Sequence, residues 1–148
     1  MTFRKILCPV DFSDASREAL KTAARLAADS AAELTLLYVW EMPIRVSDVN
    51  LMQSDLMEHE RKQAEAALAR WKAEVESPGA KALAVKVLAG VPWKVIVDEI
   101  ASDPSYDLLV MGTHGRTGIL RMLLGSVAER VARHADCPVL LVRSRAAR

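Results

Sequence analysis

Five short apolar runs, separated by segments whose apolar residues recur at the helical period, constrain this chain more than any other feature. The runs are Phe3–Val10, Glu33–Trp40, Ala82–Leu88, Asp107–Met111 and Pro138–Val142. Most are nearly continuous in apolar residues, as strands covered on both faces are. Ala82–Leu88 alternates more and carries Lys86 at its middle, as an edge strand does. After the first run, Leu20, Ala23, Ala24, Ala27 and Ala31 share one helical face behind a cap at Ser13 or Asp14. After the second, Ser54 can cap a helix with Ala64, Ala67, Leu68, Trp71 and Val75 on one stripe, ended by Ser77-Pro78-Gly79. Gly90-Val91-Pro92 opens a third helix through Val95, Ile96 and Ile100, stopped by Asp103-Pro104, and Ser126–Ala135 forms the last. Glu41–Gln53, with Pro43, shows no period.

Strands alternating with helices imply a parallel sheet with helices on both faces. Right-handed crossovers leave few topologies, and 148 residues is the length of one domain. The expected architecture over residues 1–148 is therefore a single-domain, doubly wound α/β fold with a five-stranded parallel sheet, flavodoxin-like or Rossmann-like.

Charge and composition narrow the partners. The formal net charge is +1, which argues against a broad nucleic-acid footprint, and the three arginines of Arg143–Arg148 read as a solvated end. No apolar run approaches the length of a membrane span, and Met1–Asp11 lacks the pattern of a targeting segment. Cys8 and Cys137 do not make a disulfide framework, so two small thiols of a cytoplasmic protein are expected.

In open α/β sheets ligands bind at the carboxyl ends of the strands, beside the point where strand order reverses. The most informative such place follows the fourth strand. It runs Gly112-Thr113-His114-Gly115-Arg116-Thr117-Gly118, then Ile119–Leu124, then Gly125-Ser126. Glycines permit unusual turns and close approach of a ligand to the main chain, and successive amides in a turn form an anion nest. Gly125-Ser126 stands at a helix start, where N–H groups and the positive end of the dipole favour phosphate. Arg116 and Arg121 can neutralise polyphosphate charge. Against this, Ser126 with Glu129 is also an ordinary capping box, and Gly112 can simply end a strand. If Ser126 holds phosphate, Glu129 must point away. His114, alone between glycines, reads as a loop residue. Asp11, just past the first strand, can accept hydrogen bonds from ribose hydroxyls or an adenine amine, or serve the first helix start. Val39 can offer backbone groups to a base edge, or be an ordinary core valine.

Together these residues resemble the universal stress protein family in its ATP-binding branch. That family's phosphate signature is Gly, two residues, Gly, nine residues, Gly, then Ser or Thr, matched here by Gly112, Gly115, Gly125 and Ser126. The resemblance runs along the whole chain, from ILCPVDFS through LLYV to CPVLLVR. It implies strand order 3-2-1-4-5, which separates Cys8 and Cys137 by two strand spacings, about 9–10 Å and too far for a disulfide. It implies that Asp11 and Val39 hold adenine and ribose, that Pro9 and Val10 wall the base, and that Gly112, Gly115, Gly125, Ser126 and Val127 line ribose and phosphates. It also implies a homodimer through Pro138–Val142.

Other nucleotide and signalling folds fit less well. A receiver domain needs a phosphoryl-accepting Asp after the third strand, which ends Val87-Leu88-Ala89-Gly90. A P-loop needs G-x-x-x-x-G-K-[ST] after the first strand, where Cys8-Pro9-Val10-Asp11 stands. The S-G-G-x-D-S and H-I-G-H patterns of adenylating enzymes do not occur. A flavin electron-transfer subunit is normally longer and paired with a second chain.

The expectation is a regulatory, ATP-binding module with at most slow hydrolysis. Mg²⁺ would arrive with the triphosphate rather than on a protein cluster. A protein partner and a lid or partner surface at Glu41–Gln53 complete the expectation. The alternative is a family member with a vestigial nucleotide site that acts purely as a dimeric interaction protein.

Overall fold

The computed structural model describes residues 1–41, 51–76, 78–114 and 124–144, with the backbone alone for 51–54. Its elements are β1 Lys5–Val10, α1 Asp14–Ser30, β2 Glu33–Trp40, α2 Leu51–Val75, β3 Ala82–Ala89, α3 Pro92–Ser102, β4 Leu108–Gly112, α4 Ser126–His134 and β5 Val139–Val142. All sheet pairings are parallel, and the order is β3-β2-β1-β4-β5.

The handedness of the crossovers explains which helices share a face. The two crossovers that build β1, β2 and β3 run in one direction, so α1 and α2 cover the same face. The chain then returns past β1 to β4, which puts α3 and α4 on the other. Alternation along the strands feeds two cores. Ile6, Cys8, Val10, Leu34, Leu36, Leu108 and Val110 pack with Leu20, Ala23, Ala27, Leu68 and Trp71 from α1 and α2. Leu7, Leu37, Leu109 and Met111 pack with Ile96, Ile100, Ala128 and Val131 from α3 and α4. The expected stripes of α1 and α2 are the residues that fill the first core.

The amino end of the sheet is closed by the chain itself. The Asp107 carboxylate accepts the backbone N–H groups of Arg4 (2.9 Å) and Lys5 (3.1 Å). Lys5 Nζ donates to Asp103 at 2.6 Å and lies over the Tyr106 ring at 4.6 Å. On the edge strand β3, Lys86 pairs with Glu99 of α3.

Three local expectations differ from the structure. Helix α2 is already formed at Leu51, so Ser54 lies inside it and does not cap it. Ala31, placed on the apolar face of α1, is instead its C-cap, exposed at φ 51°, and its N–H bonds back to Ala28 O at 3.3 Å. Of the aperiodic stretch Glu41–Gln53, residues 51–53 are helical, and residues 42–50 lie outside the described residues, as does most of that candidate lid.

Candidate functional site

The carboxyl ends of β1 and β4 lie side by side where strand order reverses, and the chain leaves each in a tightly bonded turn. After β1, Asp11 Oδ1 accepts the N–H of Ser13 at 3.0 Å, closing an Asx turn over Phe12. Phe12 takes φ 64°, left-handed backbone that costs an L residue roughly 1–2 kcal/mol. Ser13 is the N-cap of α1, and its Oγ accepts the Ser16 N–H at 3.1 Å. The Ser16 hydroxyl, nearly buried, donates to Ser13 O (3.0 Å) and accepts the Asp11 N–H (3.3 Å). Of the two candidate caps, Ser13 takes the role; Asp11 fixes the turn that delivers it.

Gly112 ends β4 against the first turn of α1. A Cβ there would lie 2.8 Å from the Ala15 carbonyl carbon and 3.0 Å from Ser16 N, so the residue type is set by close approach. Its φ is not positive; among the described glycines only Gly90, at φ 146°, is left of the ordinary region. Thr113 is buried; its N–H donates to Val142 O (3.0 Å) and its carbonyl accepts the Gly125 N–H (2.7 Å). The two ends of the glycine-spaced segment are therefore joined at its base. Gly115 and Arg116, with the rest of 115–123, lie outside the described residues.

Gly125 is the N-cap of α4, at φ −60°, and among the described residues no side chain caps this helix. The capping-box reading of Ser126 and Glu129 is corrected: Ser126 is the first helical residue, one position too late to cap. The Glu129 carboxylate instead accepts from Arg133 at 2.8 Å, one turn along the helix. The first intrahelical bond runs from Glu129 N–H to Gly125 O (2.9 Å). The N–H groups of Ser126, Val127 and Ala128 thus have no carbonyl partner within the helix. Ser126 is exposed and Val127 half-buried.

The remaining candidates divide between the faces. Val39 and Val127 pack at the margin of the core beneath α3 and α4, and Pro9, by strand parity with Leu7, is on that side too. Val10 is in the opposite core, so its side chain does not join them; only its backbone stands at the strand end. His114 bonds Thr113 Oγ1 through Nδ1 at 3.0 Å, and its Nε2 is buried without a hydrogen-bond partner among the described residues. Burial pushes the Cys8 thiol far up from its ordinary value, and Cys137 is raised for the same first reason; both are free. Among the described residues no cluster of His, Cys, Asp or Glu is placed to hold a metal, and no helix is long and apolar enough to cross a membrane.

The model of the universal stress protein family matches residues 2–143. The chain belongs to that family. Universal stress protein MJ0531 of Methanocaldococcus jannaschii is 40% identical over 145 residues, covering 95% of this chain and 82% of the relative. The solved universal stress protein UspA from Lactobacillus plantarum superimposes with a TM-score of 0.88 at 30% identity, over 97% of this chain and 99% of its own. A universal stress protein crystallised in complex with cAMP gives a TM-score of 0.75 at 26% identity, over 97% and 99%. The strand order expected from the family resemblance is the order observed.

Three residues that shape this candidate site of the universal stress protein escaped the sequence reading. Ser16 had a signal, since a second serine three residues after a cap can bond back to it. Thr113 sat inside the recognised spacing but was passed over as filler. Phe12 had none: a left-handed position ordinarily announces itself as Gly or Asn.

Proposed function

We propose that this chain binds an adenine nucleotide at the carboxyl rim of its sheet, with ATP as the principal ligand, and that occupancy alters its contacts with other proteins. One observation carries the reading. The start of α4 presents Gly125 and Ser126 with no side-chain cap among the described residues, and the Glu129 carboxylate of its first turn is drawn toward Arg133. Uncapped first-turn N–H groups, a hydroxyl and the positive end of the dipole suit a phosphate oxygen. The Thr113–Gly125 bond keeps that helix start close to Gly112, and Gly112 packs on the turn that Asp11 fixes. The relative crystallised with cAMP supports an adenine nucleotide as the ligand class.

In this reading Asp11 and the Val39 backbone take the ribose and base, Pro9 and the Val10 backbone wall the base, and Gly112, Gly115, Arg116, Gly125, Ser126 and Val127 take the phosphates. Mg²⁺ would be held by phosphate oxygens, which suit a hard cation. The protein would be cytoplasmic, and two copies would pair along β5, an edge strand whose Leu140 is 38% exposed.

Equilibrium dialysis with ATP, ADP, AMP and cAMP tests the proposal. ATP should bind tighter than millimolar, and Gly125→Ala with Ser126→Ala should weaken it by about tenfold or more, the loss expected when a hydrogen bond to a charged group is removed. Binding no tighter than millimolar, or no response to the double substitution, overturns the proposal and leaves a protein whose nucleotide site is vestigial.

A further inference from the structure

Phe12 stands between Asp11 and the Ser13 cap, in backbone an L residue avoids, and its ring is held on the α1/α2 face of the sheet. There it meets two other rings. Tyr38, the residue before Val39, lies 5.0 Å away between centroids and tilted by 40°. Trp71 of α2 lies 5.2 Å away, edge-on at 86°. Such tilted and edge-to-face pairs are favourable beyond the area they bury. Trp71 is itself held: the Arg17 guanidinium lies 4.5 Å over its ring and pairs with Glu74 at 2.6 Å. An unfavourable backbone angle persists only where its surroundings over-determine it. At Phe12 those surroundings are aromatic, and they belong to β2 and α2 rather than to β1.

We propose that Phe12 is a positioning residue for the nucleotide site, and that its clasp between Tyr38 and Trp71 sets the Asp11 carboxylate and couples the site to the docking of α2. The mechanism is mechanical. With the ring held, φ at Phe12 stays at 64°, the Asp11 Oδ1 to Ser13 N–H bond closes, and the carboxylate is fixed at the rim. With the ring gone, an L residue relaxes toward negative φ, and the peptide that follows Asp11 rotates. Because the clasp reaches the residue before Val39 as well, it links both base-side positions to one helix. Coupling of this kind is reciprocal: what seats α2 tightens nucleotide binding, and nucleotide binding seats α2. The inference rests on the proposed nucleotide site.

The test is ATP binding by equilibrium dialysis to the full chain and to Phe12→Ala, Phe12→Tyr, Trp71→Leu and Asp11→Asn, alone and combined. Phe12→Ala should weaken ATP binding about five- to tenfold, and Trp71→Leu, on a different element, by a smaller factor in the same direction. Phe12→Tyr should restore binding to within about twofold of the unaltered chain, because the ring pairs survive. In the Asp11→Asn background Phe12→Ala should have no further effect, since Phe12 acts through that carboxylate. Where Phe12→Ala does not fold, Trp71→Leu replaces it, because it removes one ring of the clasp from another element and leaves residue 12 unchanged. Wild-type affinity in Phe12→Ala or, where that does not fold, in Trp71→Leu, or a loss that persists undiminished beside Asp11→Asn, overturns the positioning role. An unaltered chain that fails to bind ATP overturns the proposed function itself.

Discussion

Two helix starts share the carboxyl rim of this sheet and treat the same chemical problem in opposite ways. Every helix begins with N–H groups that have no partner in the helix. At α1 the chain supplies them: Ser13 Oγ takes the Ser16 N–H, the Ser13 carbonyl takes the Arg17 N–H, and Asp11 braces the turn in front. At α4 no side chain among the described residues caps the first turn, the Glu129 carboxylate pairs with Arg133, and the preceding residue is a glycine. Helix α3 is uncapped as well, but Pro92 at its start removes one of the donors. The difference separates a helix start used to hold the fold together from one left with capacity for a ligand.

The comparison can be broken most forcefully at Gly112, which packs on the first turn of α1 and precedes the residue that holds the start of α4. Gly112→Val would drive a branched side chain into the backbone of Ala15 and Ser16, and should cost roughly 2–3 kcal/mol, read as a fall in urea midpoint with unchanged slope. It should also abolish ATP binding, because the first turn of α1 must move. Ser126→Ala and Ser13→Ala form the sharper pair. Ser126→Ala should reduce ATP affinity by about tenfold while shifting stability by less than about 0.5 kcal/mol. Ser13→Ala should do the reverse in stability, losing about 1 kcal/mol for the missing cap. If both serines affect stability alike and binding alike, the two helix starts are not functionally distinct.

The smallest expected effect belongs to the opposite rim. There the Lys5 ammonium, hydrogen-bonded to Asp103, holds that carboxyl well below its ordinary range, with Ser105 donors adding to it. A carboxyl depressed on folding stabilises the protein fully above its unfolded value near 3.8, and that contribution is lost as pH falls below it. Lys5, raised by the same partner, shares that contribution while Asp103 is charged and loses it at the alkaline end only above about pH 10.5. Asp103→Asn should therefore flatten the fall in stability between about pH 4 and 2 while leaving ATP binding unchanged. A denaturation series across that window checks it. An unchanged acid slope would mean that solvent screens the pair.

Most of the fold was legible because it is written in periodicity. Continuous apolar runs and helical stripes identified each strand and helix among the described residues, and the edge position of β3 was visible in Lys86. The strand order was not in the periodicity; it came with the family resemblance and was then found in the sheet. What was illegible lies in backbone detail. Ser126-x-x-Glu129 reads as a capping box in sequence, but the helix starts one residue earlier, at Ser126 itself, a shift that no propensity resolves. Gly112 was read for loop freedom, whereas its purpose is to let two elements touch. Val10 was grouped with Pro9, although strand alternation sends their side chains to opposite cores. Phe12 is the hardest case, since its conformation is dictated by rings distant in sequence.

The hydrogen bond from Gly125 to Thr113 carries one more consequence, in the language of polymers. It fixes the distance between the two ends of the segment 114–124. The entropy of closing a loop grows only as the logarithm of its length, so adding three residues to these eleven would change it by roughly 0.2 kcal/mol. Folding therefore exerts almost no pressure on the number of residues between Gly115 and Gly125. A spacing of nine kept across relatives would report a constraint other than folding, and insertion of Gly-Ser pairs there would read that constraint directly.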